Sequence, residues 1–296
     1  MRTISEKDIK ILLMPRPKAS HKGTFGTVNA VVGCSKFRGA AALSTMGALR
    51  SGTGIVRVCS TEKVIGAVTV QYPSATLLPL PETDEGYISA KAVPTLLKTV
   101  KDTDTLLIGC GLGQCTDTAN AVNLLVFGTK VKKVIDADAL NLLAATGALE
   151  EAEKSGALAG CIVTPHVGEI ARLTGKSIGE ISANAETMSA AAAEFTHKYK
   201  CVTVLKSHVT VIATDTETYV IQGNNSGLAK GGSGDVLAGL IAGLFAQGYT
   251  ADQSAILGVL IHSTAAKNCA QDLSEQAMLP SDLESYICKI LADITK

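Results

Sequence analysis

Gly227-Leu228-Ala229-Lys230-Gly231-Gly232-Ser233-Gly234-Asp235 runs straight into the apolar stretch Val236-Leu237-Ala238-Gly239-Leu240-Ile241-Ala242-Gly243-Leu244-Phe245. Glycines free of Cβ hindrance ahead of a helix expose backbone N–H groups at its positive end, which builds an anion site from main chain alone. Gly231, Gly232, Ser233 and Gly234 are therefore the candidate phosphate cradle. A carboxylate at Asp235 is costly beside a phosphate unless it takes part in the chemistry. As a base it can remove a proton from a hydroxyl that is being phosphorylated. The competing reading is a helix capped after a plain glycine turn.

Upstream of this stretch, short β-branched runs alternate with longer alanine-rich segments. Val28–Val32, Ile55–Cys59, Thr105–Ile108, Val131–Ile135, Cys161–Val163 and Cys201–Leu205 read as strands, and 39–51, 116–128, 138–146, 168–174 and 184–199 as helices. Such alternation predicts an α/β fold, with a mostly parallel sheet covered by helices on both faces. The rhythm breaks at Val209–Ala213 and Thr218–Ile221, which flank a short polar turn and predict an antiparallel hairpin at one edge. Helices over 233–247, 251–271 and 281–293 complete the chain. No repeat, low-complexity tract or linker interrupts it, so residues 1–296 read as a single domain.

The 296 residues carry 27 basic and 27 acidic side chains and are 46% hydrophobic without a tryptophan. A balanced charge with no basic block argues against a nucleic-acid or membrane surface and favours small-molecule partners. The eight cysteines are scattered, without a C-x-x-C pair, and read as reduced core residues. The N-terminus lacks an apolar signal core and no uncharged run approaches spanning length, so a cytoplasmic location is expected.

Five further clusters can carry chemistry. Ser20-His21-Lys22-Gly23-Thr24-Phe25-Gly26, followed by Gly33 to Ala41, reads either as a ligand loop or as a plain one. Ile108-Gly109-Cys110-Gly111-Leu112-Gly113, with Asp136 beyond it, has the look of a dinucleotide fingerprint, but its third glycine position holds Gln114. The alternative is a glycine turn lining a substrate cleft. In Asp136-Ala137-Asp138-Ala139-Leu140-Asn141, Asp138 can cap a helix or reach magnesium through water. In Thr164-Pro165-His166-Val167-Gly168-Glu169, His166 is expected to meet a ligand at the sheet's carboxyl edge. Glu169 can orient metal-bound water or serve the helix dipole. Lys206, in Leu205-Lys206-Ser207-His208-Val209-Thr210, is a candidate phosphate partner or a surface lysine.

In this order, S-H-K-G-x-x-G, G-A-A, G-x-G-L-G, D-A-D-A-L-N, T-P-H-x-G-E, L-K-x-x-x-T and G-G-S-G-D-V-L-A-G resemble the ADP/ATP-dependent NAD(P)H-hydrate dehydratases of the ribokinase-like superfamily, from about residue 20 to about residue 290. The chain departs from the family pattern at Cys110, Ser207 and Lys230, where Pro, Gly, and Thr or Ser are common. Lys230 would place an extra charge beside the phosphate site. Many relatives carry an epimerase domain ahead of the first motif; here that motif begins at Ser20, so none is expected.

The resemblance implies a three-layer αβα fold and repair of (6S)-NADHX or NADPHX at the expense of a nucleotide, with ADP going to AMP and phosphate. It assigns Asp235 as the base, Gly231 to Gly234 to the transferred phosphoryl, and Lys206, Ser207, His208, Val209, Thr210 and Gly234 to the nucleotide. Ala40, Gly113, His166 and Asp235 would contact the hydrated dinucleotide, and Mg²⁺ would be met through water by Asp138 and Glu169. A homo-oligomer, a tetramer built from two-fold contacts, is expected to bury part of the weakly charged segment 254–266 between subunits. Two rivals remain: a ribokinase-like kinase of a small vitamin-type alcohol, sharing the Gly231 to Asp235 loop, and a Rossmann oxidoreductase resting on Gly109 to Gly113.

Overall fold

The computed structural model describes residues 2–294. Ten strands form one sheet: β1 (Arg2–Thr3), β2 (Thr27–Val31), β3 (Ile55–Ser60), β4 (Thr76–Pro79), β5 (Thr105–Ile108), β6 (Lys132–Ile135), β7 (Ile162–Val163), β8 (Val202–Leu205), β9 (Val209–Ala213) and β10 (Thr218–Gln222). Their order is β1-β10-β9-β8-β7-β6-β5-β2-β3-β4. Only β9 runs against the others, pairing antiparallel with β8 on one side and β10 on the other. The expected hairpin is thus present near one end, with the two-residue β1 added outside it.

Both faces of the sheet are buried, as its unbroken apolar strands require. Leu107, Val134 and Ile162 point into one core with the helices Arg38–Arg50, Ser233–Ala246, Ala251–Leu273 and Leu283–Ile294. Leu106, Ile108, Ile135 and Val163 point into the other, with Thr116–Gly128, Asp138–Ala145, Val167–Thr174 and Ala185–Tyr199. This is the αβα sandwich that the alternation predicts, and the eight helices read from the sequence lie within two residues of those limits. The structure adds short helices at Lys7–Leu12, Glu62–Gln71, Val93–Thr99, Ala148–Ser155 and Ile178–Ser182.

The helix Ser233–Ala246 lies almost on the backbone of Arg38–Arg50. A Cβ built at Gly239 would stand 2.0 Å from the Ser44 carbonyl oxygen, so only glycine permits the approach. Its last turn is closed by Lys132, whose Nζ donates to the Phe245 carbonyl at 2.9 Å, a cation at the negative helix end. The pairing fixes where the helix begins, beside the carboxyl ends of β2 and β5.

One expectation about surface is overturned. Residues 254–262, 265 and 266 are buried within their own chain, where the helix Ala251–Leu273 packs across the sheet, so this segment offers no apolar face to a second subunit. Among the described residues no helix is long and apolar enough to cross a membrane.

Candidate active site

Four consecutive neighbours, β5, β6, β7 and β8, end at one edge of the sheet. Their carboxyl ends deliver Gly109, Asp136, Thr164 to His166, and Lys206 to the same place, the usual location of ligands in parallel sheets. At this edge the Lys206 backbone N–H donates to the Pro165 carbonyl at 2.8 Å, and a single bridge pairs His166 with Lys206.

Asp136 is the hub. It is 1% exposed, and its Oδ1 accepts from Thr164 Oγ1 and from Lys206 Nζ, each at 2.6 Å. The buried Cys110 thiol donates to Oδ2 at 3.6 Å. A carboxylate this deeply buried and turned onto three protein donors is poorly placed to grip a ribose, which weakens the dinucleotide-fingerprint reading. Lys206 is correspondingly not a surface lysine. Burial pulls its pKa down, but Asp136 and Glu169 outweigh that and raise it, so the ammonium stays charged.

Asp235 stands in the first turn of the helix Ser233–Ala246, with its carboxylate, that of Asp136 and the Cys110 sulfur all within 4.8 Å of one another. Burial and then the neighbouring Asp136 charge push the Asp235 carboxyl up to about 7, with Lys206 and the Cys110 hydrogen bond opposing. The Cys110 thiol itself is held well above its ordinary value by burial and is therefore protonated, a donor rather than a soft metal ligand.

Ahead of Asp235 the helix is capped by Gly232 with φ at +105°, a left-handed conformation that glycine alone adopts readily. The first-turn N–H groups at Gly234 and Asp235 have no carbonyl within the helix to receive them. A Cβ built on Gly234 would lie 3.3 Å from Lys206 Nζ, so the cradle and the ammonium face each other. Lys230, feared as an added charge at the cradle, points elsewhere: its Nζ donates to the carbonyls of Gln276 at 2.7 Å, Met278 at 2.5 Å and Glu275 at 3.3 Å. It ties the loop after Ala251–Leu273 to the strand-to-helix turn.

His166 caps the helix Val167–Thr174. Its Nδ1 accepts from the N–H of Gly168 at 2.9 Å and of Glu169 at 3.3 Å, while Glu169 Oε2 accepts from the His166 N–H at 2.8 Å. That leaves the ring proton on Nε2, 3.2 Å from Glu169 Oε1. Burial, Lys206 and Arg172 hold the His166 pKa down, and burial pushes Glu169 up to about 7. Asp138 is similarly occupied: Oδ2 accepts from the Gly113 N–H and Oδ1 from Gln114 Nε2, both at 2.8 Å. Each carboxylate keeps spare lone pairs for a water on a magnesium ion, which suits the hard oxygen donors that this metal takes.

Ala40 reaches the glycine turn, since a Cβ on Gly111 would stand 2.6 Å from the Ala40 Cβ, and Gly113 packs against the Tyr87 ring. Ser207 and His208 form the exposed tip between β8 and β9, with Ser207 Oγ 3.2 Å from His208 Nδ1. Val209 is buried, so only its main chain is presented, and Thr210 follows half-buried in β9.

The Ser20 to Gly26 cluster is placed differently from the ligand loop considered for it. It precedes β2 at the amino end of the strands, where the Gly54 N–H donates to the Phe25 carbonyl at 3.1 Å and a Cβ on Gly26 would strike the Ala246 carbonyl. Only its partner loop, Gly33 to Ala41, reaches the site. Sequence reasoning, conversely, gave no site role to Cys110 or Thr164, and noted Asp136 only for its spacing from the glycine turn and as one of two acids beside Asn141. The hub depends on β6 and β8 flanking β7, which no local pattern displays.

Comparison with known proteins is consistent with this geometry. The family model for NAD(P)H-hydrate dehydratase matches residues 28–289. The ADP-dependent (S)-NAD(P)H-hydrate dehydratase of Neisseria meningitidis is 35% identical over 256 residues, covering 85% of this chain and 79% of that protein. The bifunctional NAD(P)H-hydrate repair enzyme Nnr of Moorella thermoacetica is 35% identical over 283 residues, 95% of this chain and 52% of that protein. The chain spans about half the length of the bifunctional relatives it matches. The ADP/ATP-dependent NAD(P)H-hydrate dehydratase from Bacillus subtilis, co-crystallized with ATP/Mg²⁺, superposes with a TM-score of 0.81 at 26% identity, covering 99% of this chain and 98% of that one.

Proposed function

This chain belongs to the NAD(P)H-hydrate dehydratase family, and from that premise we propose that it returns (6S)-NADHX and NADPHX to NADH and NADPH at the expense of a nucleotide, ADP becoming AMP and phosphate. The observation that carries the reading is Asp235. A carboxyl pushed up to about 7 stands at the head of a glycine-opened helix, beside a neutralised Lys206–Asp136 pair. Water is a poor leaving group from the hydrated ring carbon. Asp235 takes the proton from the ring hydroxyl while the hydroxyl oxygen attacks the terminal phosphoryl and AMP departs; the C–O bond of the resulting ester then breaks as the ring nitrogen lone pair pushes phosphate out, and loss of a proton from the adjacent ring carbon to water or the departing phosphate restores the ring double bond.

The rest of the cleft positions and stabilises charge. The N–H groups from Gly231 to Gly234 cradle the transferred phosphoryl. Lys206, through its ammonium, and the Ser207 to Thr210 tip hold the nucleotide together with Gly234. Ala40, Gly113 and His166 line the dinucleotide side. Mg²⁺ carried on the nucleotide would neutralise developing phosphate charge, with Asp138 and Glu169 accepting from its waters. The proposal also takes residues 1–296 as one dehydratase domain acting in the cytoplasm, and as a homotetramer.

Incubating the protein with (6S)-NADHX and ADP, then ATP, while following reduced nicotinamide and free phosphate together, tests the reading. Recovery of NADH with stoichiometric phosphate supports it. A stable phosphorylated product without phosphate release would point to the kinase of a small alcohol instead.

A further inference from the structure

The helix Ser233–Ala246, whose start forms the cradle, is followed by the turn 247–250 and by Ala251–Leu273, which runs back along it. The two helices touch closely, since a Cβ built on Gly258 would stand 2.4 Å from Ile241 Cγ1. One turn further along the same buried face comes His262, 6% exposed, with Val259, Leu260, Ile261 and Ala265 buried around it in the helix. Its ring meets the main chain of Ser233, the first residue of the cradle helix, and lies close enough to Lys206 for that ammonium to disfavour a charge on it.

An imidazole at such a position needs a reason. Burying it costs free energy that a leucine would not, and its Nε2 has no hydrogen-bond partner among the described residues. Ser233 repeats the pattern: it is also 6% exposed, and its Oγ likewise has no partner. Two orphaned polar atoms, on neighbouring buried side chains, thus stand where the N–H groups of Gly234 and Asp235 are unmet within the helix. They point to an acceptor that arrives with the ligand. A hydroxyl beside free helix N–H groups and the Lys206 ammonium suits a phosphoryl oxygen.

We propose that His262 is a positioning residue for the transferred phosphoryl: it braces Ser233, so that the Ser233 hydroxyl and the N–H groups of Gly234 and Asp235 converge on one phosphoryl group. The inference rests on the dehydratase reading above only in naming that group as the terminal phosphoryl of ADP. An uncharged ring suits the place. Burial, with Lys206 adding to it against the Ser233 main chain, lowers the His262 pKa to about 4, so no second cation is set beside Lys206. The Lys230 tether to the carbonyls of Gln276 and Met278 holds the loop just ahead of the cradle, so the end of Ala251–Leu273 and its middle both fix the same helix start.

Calorimetric titration of ADP and of AMP into the parent, His262→Leu and Ser233→Ala tests this, because AMP lacks the phosphoryl in question. Each variant should lose about 10-fold in affinity for ADP while AMP binding stays within about two-fold. Since His262 acts through Ser233, the double variant should lose little more than either single one. His262→Gln, which keeps an N–H for Ser233, should recover most of the ADP affinity. Unchanged ADP binding overturns the proposal, as do equal losses for ADP and AMP or fully additive losses, which would make the role merely structural. Should His262→Leu not fold, the parent decides: the His262 ring-nitrogen resonances, identified by their absence in His262→Gln, should shift on adding ADP and stay in place with AMP, and equal responses to both overturn it. None of these readouts needs turnover, so a parent that fails to return NADH from NADHX would sink the dehydratase reading without deciding this one.

Discussion

Lys206 Nζ sits 2.6 Å from Asp136 Oδ1, a contact that joins the ends of β8 and β6 across the intervening β7. Beside this pair stands Asp235, whose proton affinity rises through burial and then through the neighbouring Asp136 charge. Asp235 must be deprotonated to act as a base, so kcat/KM should climb with pH along a limb centred near 7. Glu169 is pushed to about the same value, which makes a control necessary. Glu169→Gln should leave the limb in place, whereas Asp136→Asn, removing the neighbouring charge that raises Asp235, should move it to lower pH. A limb that vanishes in Glu169→Gln would transfer the titration to that residue.

His262 gives a stability prediction of definite sign. The ring is 6% exposed, and burial lowers its pKa to about 4 against an unfolded value of 6.5. The unfolded state therefore binds the extra proton first as pH falls, and stability is lost between pH 6.5 and 4, by about 3 kcal/mol at the lower limit. Asp235 and Glu169, raised by burial, shift stability the other way in the window from 7 down to about 4. The His262 contribution is thus read as the difference from His262→Gln. Denaturant titrations from pH 7 to 4 should show the variant losing less stability than the parent, and parallel curves would contradict the assignment.

The layout of the sheet was legible because both strand faces are apolar and turns fall between them. What escaped was short or carried no periodicity: the two-residue β1, the exposed β4, and helices such as Val93–Thr99 and Ile178–Ser182, too brief to show an apolar stripe. In the site, the glycine loop and Asp235 stood out because glycine spacing before a helix is a local signal. The Asp136–Thr164–Lys206 cluster did not, because three loops from three strands meet only through strand order. Lys230 was misjudged from sequence proximity; three carbonyls at 275–278 draw its ammonium away from the cradle.

Lys230→Met follows from that last point. The substitution removes three hydrogen bonds to backbone carbonyls and should lower global stability by about 1 to 2 kcal/mol. Hydrogen exchange at 275–278 should accelerate while the KM for ADP and ATP stays within about two-fold, as expected for a tether remote from the phosphate. A large change in nucleotide KM would return Lys230 to the phosphate site.

The proposed homotetramer would have to draw on surface other than 254–266. Val70 is 85% exposed and Leu77, on the edge strand β4, is 38% exposed. Among the described residues no strand pairs with the outer side of β4, and an unpaired edge with apolar neighbours is a natural two-fold contact. Light scattering at micromolar concentration should give a multiple of 30.5 kDa, and Leu77→Lys should lower it. A monomeric mass for the parent would refute the tetramer.

Asp235→Asn keeps the shape of the side chain and removes its basicity. Well above pH 7 it should also raise stability, by up to about 4 kcal/mol, since a buried carboxylate whose folded pKa exceeds its unfolded value costs stability once ionised. The decisive measurement is the absorbance recovery of NADH from (6S)-NADHX with ADP, run on the parent and on Asp235→Asn with nucleotide binding measured in parallel. The account predicts recovery by the parent and a loss of roughly 10² or more in turnover for the variant with nucleotide affinity retained. Near-normal turnover by Asp235→Asn would contradict it.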